Sequence, residues 1–121
     1  MQLPPAEPQD CHPRNFLRAC LLLLVAEEAT HGYKINERLR DFGLYHDDPG
    51  GLYRALRLLE HDGLVRSTWD TSAPGPARRT YAITAKGLSW LESWADEMRR
   101  AQDHLEEFFD RHQLVCARVP D

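Results

Sequence analysis

From Asn15 onward, Phe16, Leu17, Cys20, Leu21 and Leu24 recur at helical spacing, and Leu22, Leu23 and Val25 fill the positions between them. The predicted first helix is therefore apolar around nearly its whole circumference and needs cover on two sides, one from its own domain and one from a second subunit. Thr30 is placed to cap a second helix, in which Ile35, Leu39 and Phe42 recur at i, i+4 and i+7 before Gly43 ends it. Asp47 or Asp48 as cap and Pro49 at the first helical position open a third helix, with Leu52, Leu56 and Leu59 as its inner stripe and Gly63 as its stop. Two β-capable runs follow, Leu64–Trp69 and Arg79–Ile83, joined by the turn-rich stretch Asp70–Ala77 into a hairpin with a long tip.

Thr84 can cap a last helix reaching to about His112. In it Leu88, Leu91, Ala95, Met98, Gln102, Leu105, Phe109 and His112 alternate spacings of three and four. That is a heptad seam, longer than packing inside one domain requires, and it implies a partner helix from a second copy. Prolines at 4, 5, 8 and 13 exclude a regular helix before it all. The expected division is a flexible N-terminal arm over 1–14, a compact domain over 15–83, a dimerisation helix over 84–113 and a tail over 114–121. The fold class is mainly α: three helices, a two-stranded wing and a long C-terminal helix, the order of a winged helix-turn-helix.

In that architecture the third helix enters the major groove of DNA, and the side chains can be compared with that task. With the leucine stripe turned inward, Gly50, Tyr53, Arg54, Arg57 and His61 turn outward. Arginine can read guanine edges in pairs of hydrogen bonds, tyrosine can bond a phosphate or pack on a sugar, and glycine permits close backbone approach. Taken alone, such a face reads equally as a solvated one with Glu60 and Asp62 as neighbours. Arg78 and Arg79, just after the stiff tip, add two guanidinium groups where a minor groove or phosphate backbone would lie, although one of them could pair with Asp70.

The chain has 121 residues, 42% of them hydrophobic and 28% charged, which fits one soluble domain. Its net charge of -4 argues against nucleic acid only until it is divided. Residues 1–47 hold five basic and seven acidic groups, 48–86 hold six and four, and 87–121 hold four and eight, giving -2, +2 and -4. The basic share falls on the third helix and wing.

Other classes find less support. The apolar run from Phe16 to Ala26 contains Arg18 and is about half the twenty residues a membrane span needs, and Glu7 and Asp10 precede it where a signal peptide would be basic. No membrane partner is expected, and the cytoplasm is the expected compartment. Cys11, Cys20 and Cys116 are odd in number and contain no CxxC pair, so reduced thiols are expected rather than a disulfide framework. With His12 and His31 they lack metal-ligand spacing. Neither a catalytic motif nor a phosphate-cradling loop occurs, so no enzyme activity and no cofactor is expected.

Three stretches together resemble the PadR-like winged-helix transcriptional regulators. They are His31-Gly32-Tyr33, then Leu52-Tyr53-x-x-Leu56-x-x-Leu59-Glu60-x-x-Gly63-Leu64-Val65, then Arg78-Arg79-x-Tyr81-x-Ile83-Thr84-x-x-Gly87. A weaker resemblance, through Phe16-Leu17-Arg18-x-Cys20-Leu21-Leu22-Leu23-Leu24 and Trp69-Asp70-Thr71-Ser72, is to polyhydroxybutyrate-responsive repressors. The first resemblance implies a homodimer held by its first and last helices, through Phe16, Leu17, Leu21, Leu24, Leu91, Met98, Leu105 and Phe109. It implies double-stranded DNA as partner, an inverted-repeat operator, and repression until an effector releases it. Tyr53 matches the tyrosine of the recognition helix, Arg78 with Arg79 the basic wing, and Tyr33 the aromatic of the second helix. Gly50-Gly51 departs from the serine or threonine usual before the Leu-Tyr pair. Trp90 and Trp94, one turn apart, either pack against the first helix or, with Met98, line a pocket for a small hydrophobic effector. The competing reading is a winged helix serving as a protein-interaction module, with no sequence-specific DNA binding.

Overall fold

The computed structural model describes residues 12–44, 49–72 and 74–120. The chain runs α1 (Phe16–Glu27), β1 (Thr30–His31), α2 (Gly32–Arg38), a 3₁₀ turn (Leu39–Phe42), α3 (Pro49–His61), β2 (Val65–Asp70), β3 (Arg78–Ile83) and α4 (Ala85–Arg118). This is a winged helix-turn-helix with a long C-terminal helix. Most of the expected arm, Cys11 included, and the proposed caps Asp47 and Asp48 lie outside the described residues.

The apolar circumference of α1 makes it the centre of the core. Ala19, Cys20, Leu21, Leu22, Leu24 and Val25 are all buried, and Leu23 is the exposed exception. Around them gather Ile35 and Leu39 from the second helical segment, Leu52, Leu56 and Leu59 from α3, and Leu64, Val65 and Tyr81 from the wing. One expectation changes here. Leu21 and Leu24 are wholly enclosed within the single chain and present no surface to a second copy, because α2, α3 and the wing already cover that side of α1. Phe16 and Leu17, at its start, remain partly open.

Thr30 does not cap the second helix. It pairs with Tyr81 in a third strand that the sequence did not announce, next to His31 paired with Thr80, and the sheet order is β1-β3-β2. A two-residue strand is too short to show an alternating pattern, and its backbone is satisfied by the open edge of β3. Beyond α2 the helical apolar period tightens into the 3₁₀ turn, which Gly43 closes at a φ of 72°.

The wing is tied to the rest at one corner. Gly63, at a φ of 79°, ends α3, and its carbonyl accepts a 2.7 Å hydrogen bond from the Thr84 hydroxyl. The Thr84 N–H donates to the Leu64 carbonyl at 3.1 Å, while its hydroxyl oxygen caps α4 by accepting the Gly87 N–H at 3.0 Å. Lys86 donates to the Asp62 carbonyl at 2.8 Å. Arg18 of α1 pairs with the Asp62 carboxylate at 2.6 Å and lies over the Trp90 ring, 5.6 Å from its centroid. Three helices and both wing strands thus meet within a few residues.

The last helix continues to Arg118, six residues past the expected end near His112. Its 34 residues make a rod of about 51 Å. Leu91, Ala95 and Met98 of the seam are half-buried near α1, but from Gln102 onward every described side chain of α4 is exposed. Leu105, Phe108 and Phe109 stand 53%, 60% and 55% exposed. An apolar stripe of this size on a bare helix has no partner among the described residues.

Two outcomes follow from the corner. A Cβ at Gly87 would lie 2.1 Å from the Leu64 carbonyl oxygen, so Gly87→Ala forces backbone apart and is expected to cost about 3 kcal/mol in urea denaturation. Hydrogen bonding and charge from Arg18 hold the Asp62 carboxyl below its ordinary value of 3.8. The folded state therefore favours the carboxylate, and the stabilisation is complete above the ordinary range and lost as pH falls through the lowered folded value. Asp62→Asn is expected to lower the melting temperature at about pH 7, with the gap from the unaltered chain narrowing as pH falls through the lowered folded value.

Candidate nucleic-acid interface

The inward leucines of α3 leave Tyr53, Arg54, Arg57 and His61 on its exposed face, with Gly50 half-buried at its start. The sequence-based division of the helix into two faces matches the exposure of Tyr53, Arg54, Arg57 and His61, whereas Gly50 is only partly open. Leu58 is a further exposed position, an apolar one that this division did not single out.

Tyr53 is positioned by a contact outside its own helix. Gly32, the first residue of α2, lies so close that a Cβ there would sit 2.7 Å from Tyr53 Cε1. The missing side chain lets the phenol ring lie against the start of α2, beside the exposed ring of Tyr33. His31, Gly32, Tyr33 and Tyr53 then line one wall of an open cleft of about 300 Å³, and Ala77, Arg78 and Arg79 of the wing line the other. Tyr33, Tyr53, Arg78, Arg79 and His31, drawn from three stretches of the chain, thereby border a common space.

The two wing arginines are not equivalent. In the β2–β3 register Arg78 faces Asp70 and Arg79 faces Trp69, and successive residues on a strand point to opposite sides of the sheet. Asp70 does not form an ion pair with Arg78. Its carboxylate accepts from the Ser72 backbone N–H at 3.0 Å and from the Ser72 hydroxyl at 2.6 Å, and lies 4.0 Å from His31 Nε2. Those bonds from Ser72 chiefly hold its carboxyl below the ordinary range. His31 is fixed in turn by a 3.3 Å contact between its Nδ1 and the Thr80 hydroxyl. Arg79 lies over the Trp69 ring, 5.4 Å from the centroid.

His31 and Trp69 are the members of this surface that sequence reasoning missed. The first was read as part of a motif and weighed as a metal ligand, and the second was read as the end of a strand and part of the weaker resemblance. The available signal was cross-strand pairing, which becomes legible once the hairpin register is known.

On the other side of the molecule, Trp90 and Trp94 both pack on the α1 end. Trp94 donates its indole N–H to the Arg14 carbonyl at 3.2 Å and stands 6.0 Å from the Phe16 ring. The two border a hollow of about 180 Å³ with Asn15, Ser93 and Glu97, and Met98 is not among its lining residues. Cys20 is buried, and burial pushes its thiol up to about 11, which makes it a core residue rather than a reactive one. Cys116 is exposed, 3.5 Å from His112 Nε2. Among the described residues, no three His, Cys, Asp or Glu side chains are grouped to hold a metal ion, and no helix is long and apolar enough to cross a membrane.

The chain is similar to known proteins across this whole arrangement. Transcriptional regulator Rv3488 of Mycobacterium tuberculosis is 36% identical over 96 residues, covering 76% of this chain and 84% of that protein. The crystal structure of the PadR-like transcriptional regulator BC4206 from Bacillus cereus superposes with a TM-score of 0.70 at 26% identity, over 79% of this chain and 93% of that one. Bacillus subtilis PadR in complex with operator DNA shares the fold at a TM-score of 0.58 and 20% identity, over 65% of this chain and 47% of that one. The Transcriptional regulator PadR-like family matches residues 21–93, from the middle of α1 through Trp90 into the first part of α4. By that match this chain belongs to the PadR-like family, whose members are regulators of transcription and not enzymes.

Proposed function

We propose that this regulator binds double-stranded DNA as a homodimeric repressor on an inverted-repeat operator. The observation that carries the reading is the convergence of Tyr33, Tyr53, Arg78 and Arg79 on one open cleft beside the arginine-bearing face of α3. The shared fold with a PadR captured on operator DNA supports it.

In this reading α3 lies in the major groove. Arg54 and Arg57 reach base edges, and Gly50 lets the backbone approach. Tyr53 and Tyr33 contact the sugar-phosphate backbone, and Arg78 and Arg79 engage the strand or groove alongside. Residues 15–83 form the DNA-binding unit and 84–113 the dimerisation helix. Phe16, Leu17, Leu91, Met98, Leu105 and Phe109 meet the second copy, joined by Phe108, whose exposure matches that of Leu105 and Phe109. A dimer sets two recognition helices at a fixed separation, and an operator with two half-sites matches it. Release is assigned to a small apolar effector lodging beside Trp90 and Trp94, where the α1 and α4 surfaces meet.

Fluorescence anisotropy with duplex DNA from upstream of the protein's own gene, against scrambled duplex at several salt concentrations, tests the reading. Arg54→Ala with Arg57→Ala is expected to lose roughly 1–3 kcal/mol per base-reading arginine, and Arg78→Ala with Arg79→Ala to make the salt dependence shallower. Unchanged affinity in both variants would favour a protein-interaction module instead. For the dimer, Leu105→Glu places a charge in the apolar stripe of α4. Sedimentation is expected to show loss of the dimer, and a stable dimer in this variant would contradict the seam.

A further inference from the structure

Register divides the wing into two faces with different surroundings. On one, Val65 pairs with Ile83, Ser67 with Tyr81, and Trp69 with Arg79. Followed outward, this face begins in the core with buried Val65 and continues where Ser67 hydrogen-bonds Glu60 of α3 and Tyr81 is buried. It ends beyond the core at Trp69, 64% exposed, with the Arg79 guanidinium over its ring. The opposite face carries Asp70 and Thr80, which Ser72 and His31 engage. The wing's acidic group is thereby kept on the side away from Arg79.

A large aromatic ring left this open to water is unfavourable unless something covers it. Here the Arg79 guanidinium lies over it, and that contact constrains the cation. A guanidinium lying over an indole face keeps its N–H groups at its rim, directed outward and able to donate, while its side chain loses rotational freedom it would otherwise have to lose on binding. The geometry points to Trp69 as a positioning and specificity residue for the wing. It holds Arg79 over its ring in an outward-donating pose suited to the minor groove of DNA flanking the site read by α3. Because a narrow A·T-rich minor groove concentrates negative potential, the pair confers a preference for A·T base pairs in the operator flanks. This rests on the DNA-binding reading above and adds to it a residue and a sequence preference.

The test uses the full chain and the duplex that the unaltered protein selects from a randomised pool, together with versions of it whose flanks are all A·T or all G·C. Trp69→Ala and Arg79→Ala are each expected to weaken binding about tenfold, and the double variant to bind no worse than Arg79→Ala alone, since the two act as one unit. Both single variants lose the preference for A·T flanks, whereas Trp69→Phe retains it. Nuclear magnetic resonance without DNA reads the stacking directly: the Arg79 side-chain N–H signal is shifted by the indole ring in the unaltered chain and moves to its ordinary position in Trp69→Ala. Circular dichroism checks that this variant folds; if it does not, Arg79→Lys, which keeps the charge but not the planar group, is expected to lose the A·T preference instead. Full affinity and flank preference in Trp69→Ala would overturn the proposal while leaving the DNA-binding reading intact, as would losses that multiply in the double variant. Failure of the unaltered protein to select any duplex would overturn both.

Discussion

The close approach of Gly87 to the Leu64 carbonyl is the constraint on which the other arrangements depend. Leu64 follows the glycine that ends α3, and Gly87 lies in the first turn of α4, so the end of the reading helix and the start of the rod touch backbone to backbone. Between them Thr84 engages both sides, donating to Gly63 and accepting from Gly87. With the junction fixed, the hairpin leaves it in one direction and α4 in another, and Arg18 secures the same place from α1 through Asp62 and Trp90. The cleft bordered by Tyr53, Arg78 and Arg79 is assembled at a distance from this corner but inherits its geometry.

The division of labour within α1 follows from the same packing. Its middle is committed to the core of its own chain, so Leu21 and Leu24 cannot also serve between chains. What stays partly open on α1 is its beginning, and the long stripe on α4 is open as well. An apolar stripe that is bare over the distal half of a helix and shielded over the proximal half marks where the compact unit stops. The acidic groups of the last helix also lie apart from the arginines of α3 and the wing, so an overall charge of -4 is no obstacle to a basic reading surface.

Much of this was legible in the residues because the relevant signals are local. Pro49, Gly63 and Thr84 mark boundaries through backbone conformation and capping, and the Leu52, Leu56, Leu59 stripe fixes which way α3 faces. What was not legible depends on distant partners. Thr30 carries the chemistry of a helix cap, and only the free edge of β3 makes it a strand residue. The length of α4 was underestimated because Leu114 and Val115 extend its apolar content outside the expected seam. At the interface, the outward residues of α3 were readable from periodicity, whereas the Tyr53 pose set by Gly32 and the Arg79 pose set by Trp69 are contacts between elements, invisible until the elements are placed.

The link between wing and rod has a mechanical side. A single residue, Thr84, separates β3 from α4, and its backbone N–H and its hydroxyl are both engaged, so little slack is available to absorb a twist. A rod of about 51 Å pivoting there moves its far end by about 0.9 Å for each degree of tilt. Read in reverse, a displacement of several ångströms between the distal ends of two such rods corresponds to only a few degrees at the pivot. The long helix is a reducing lever, turning coarse motion at its far end into fine adjustment of the strand that carries Arg78 and Arg79.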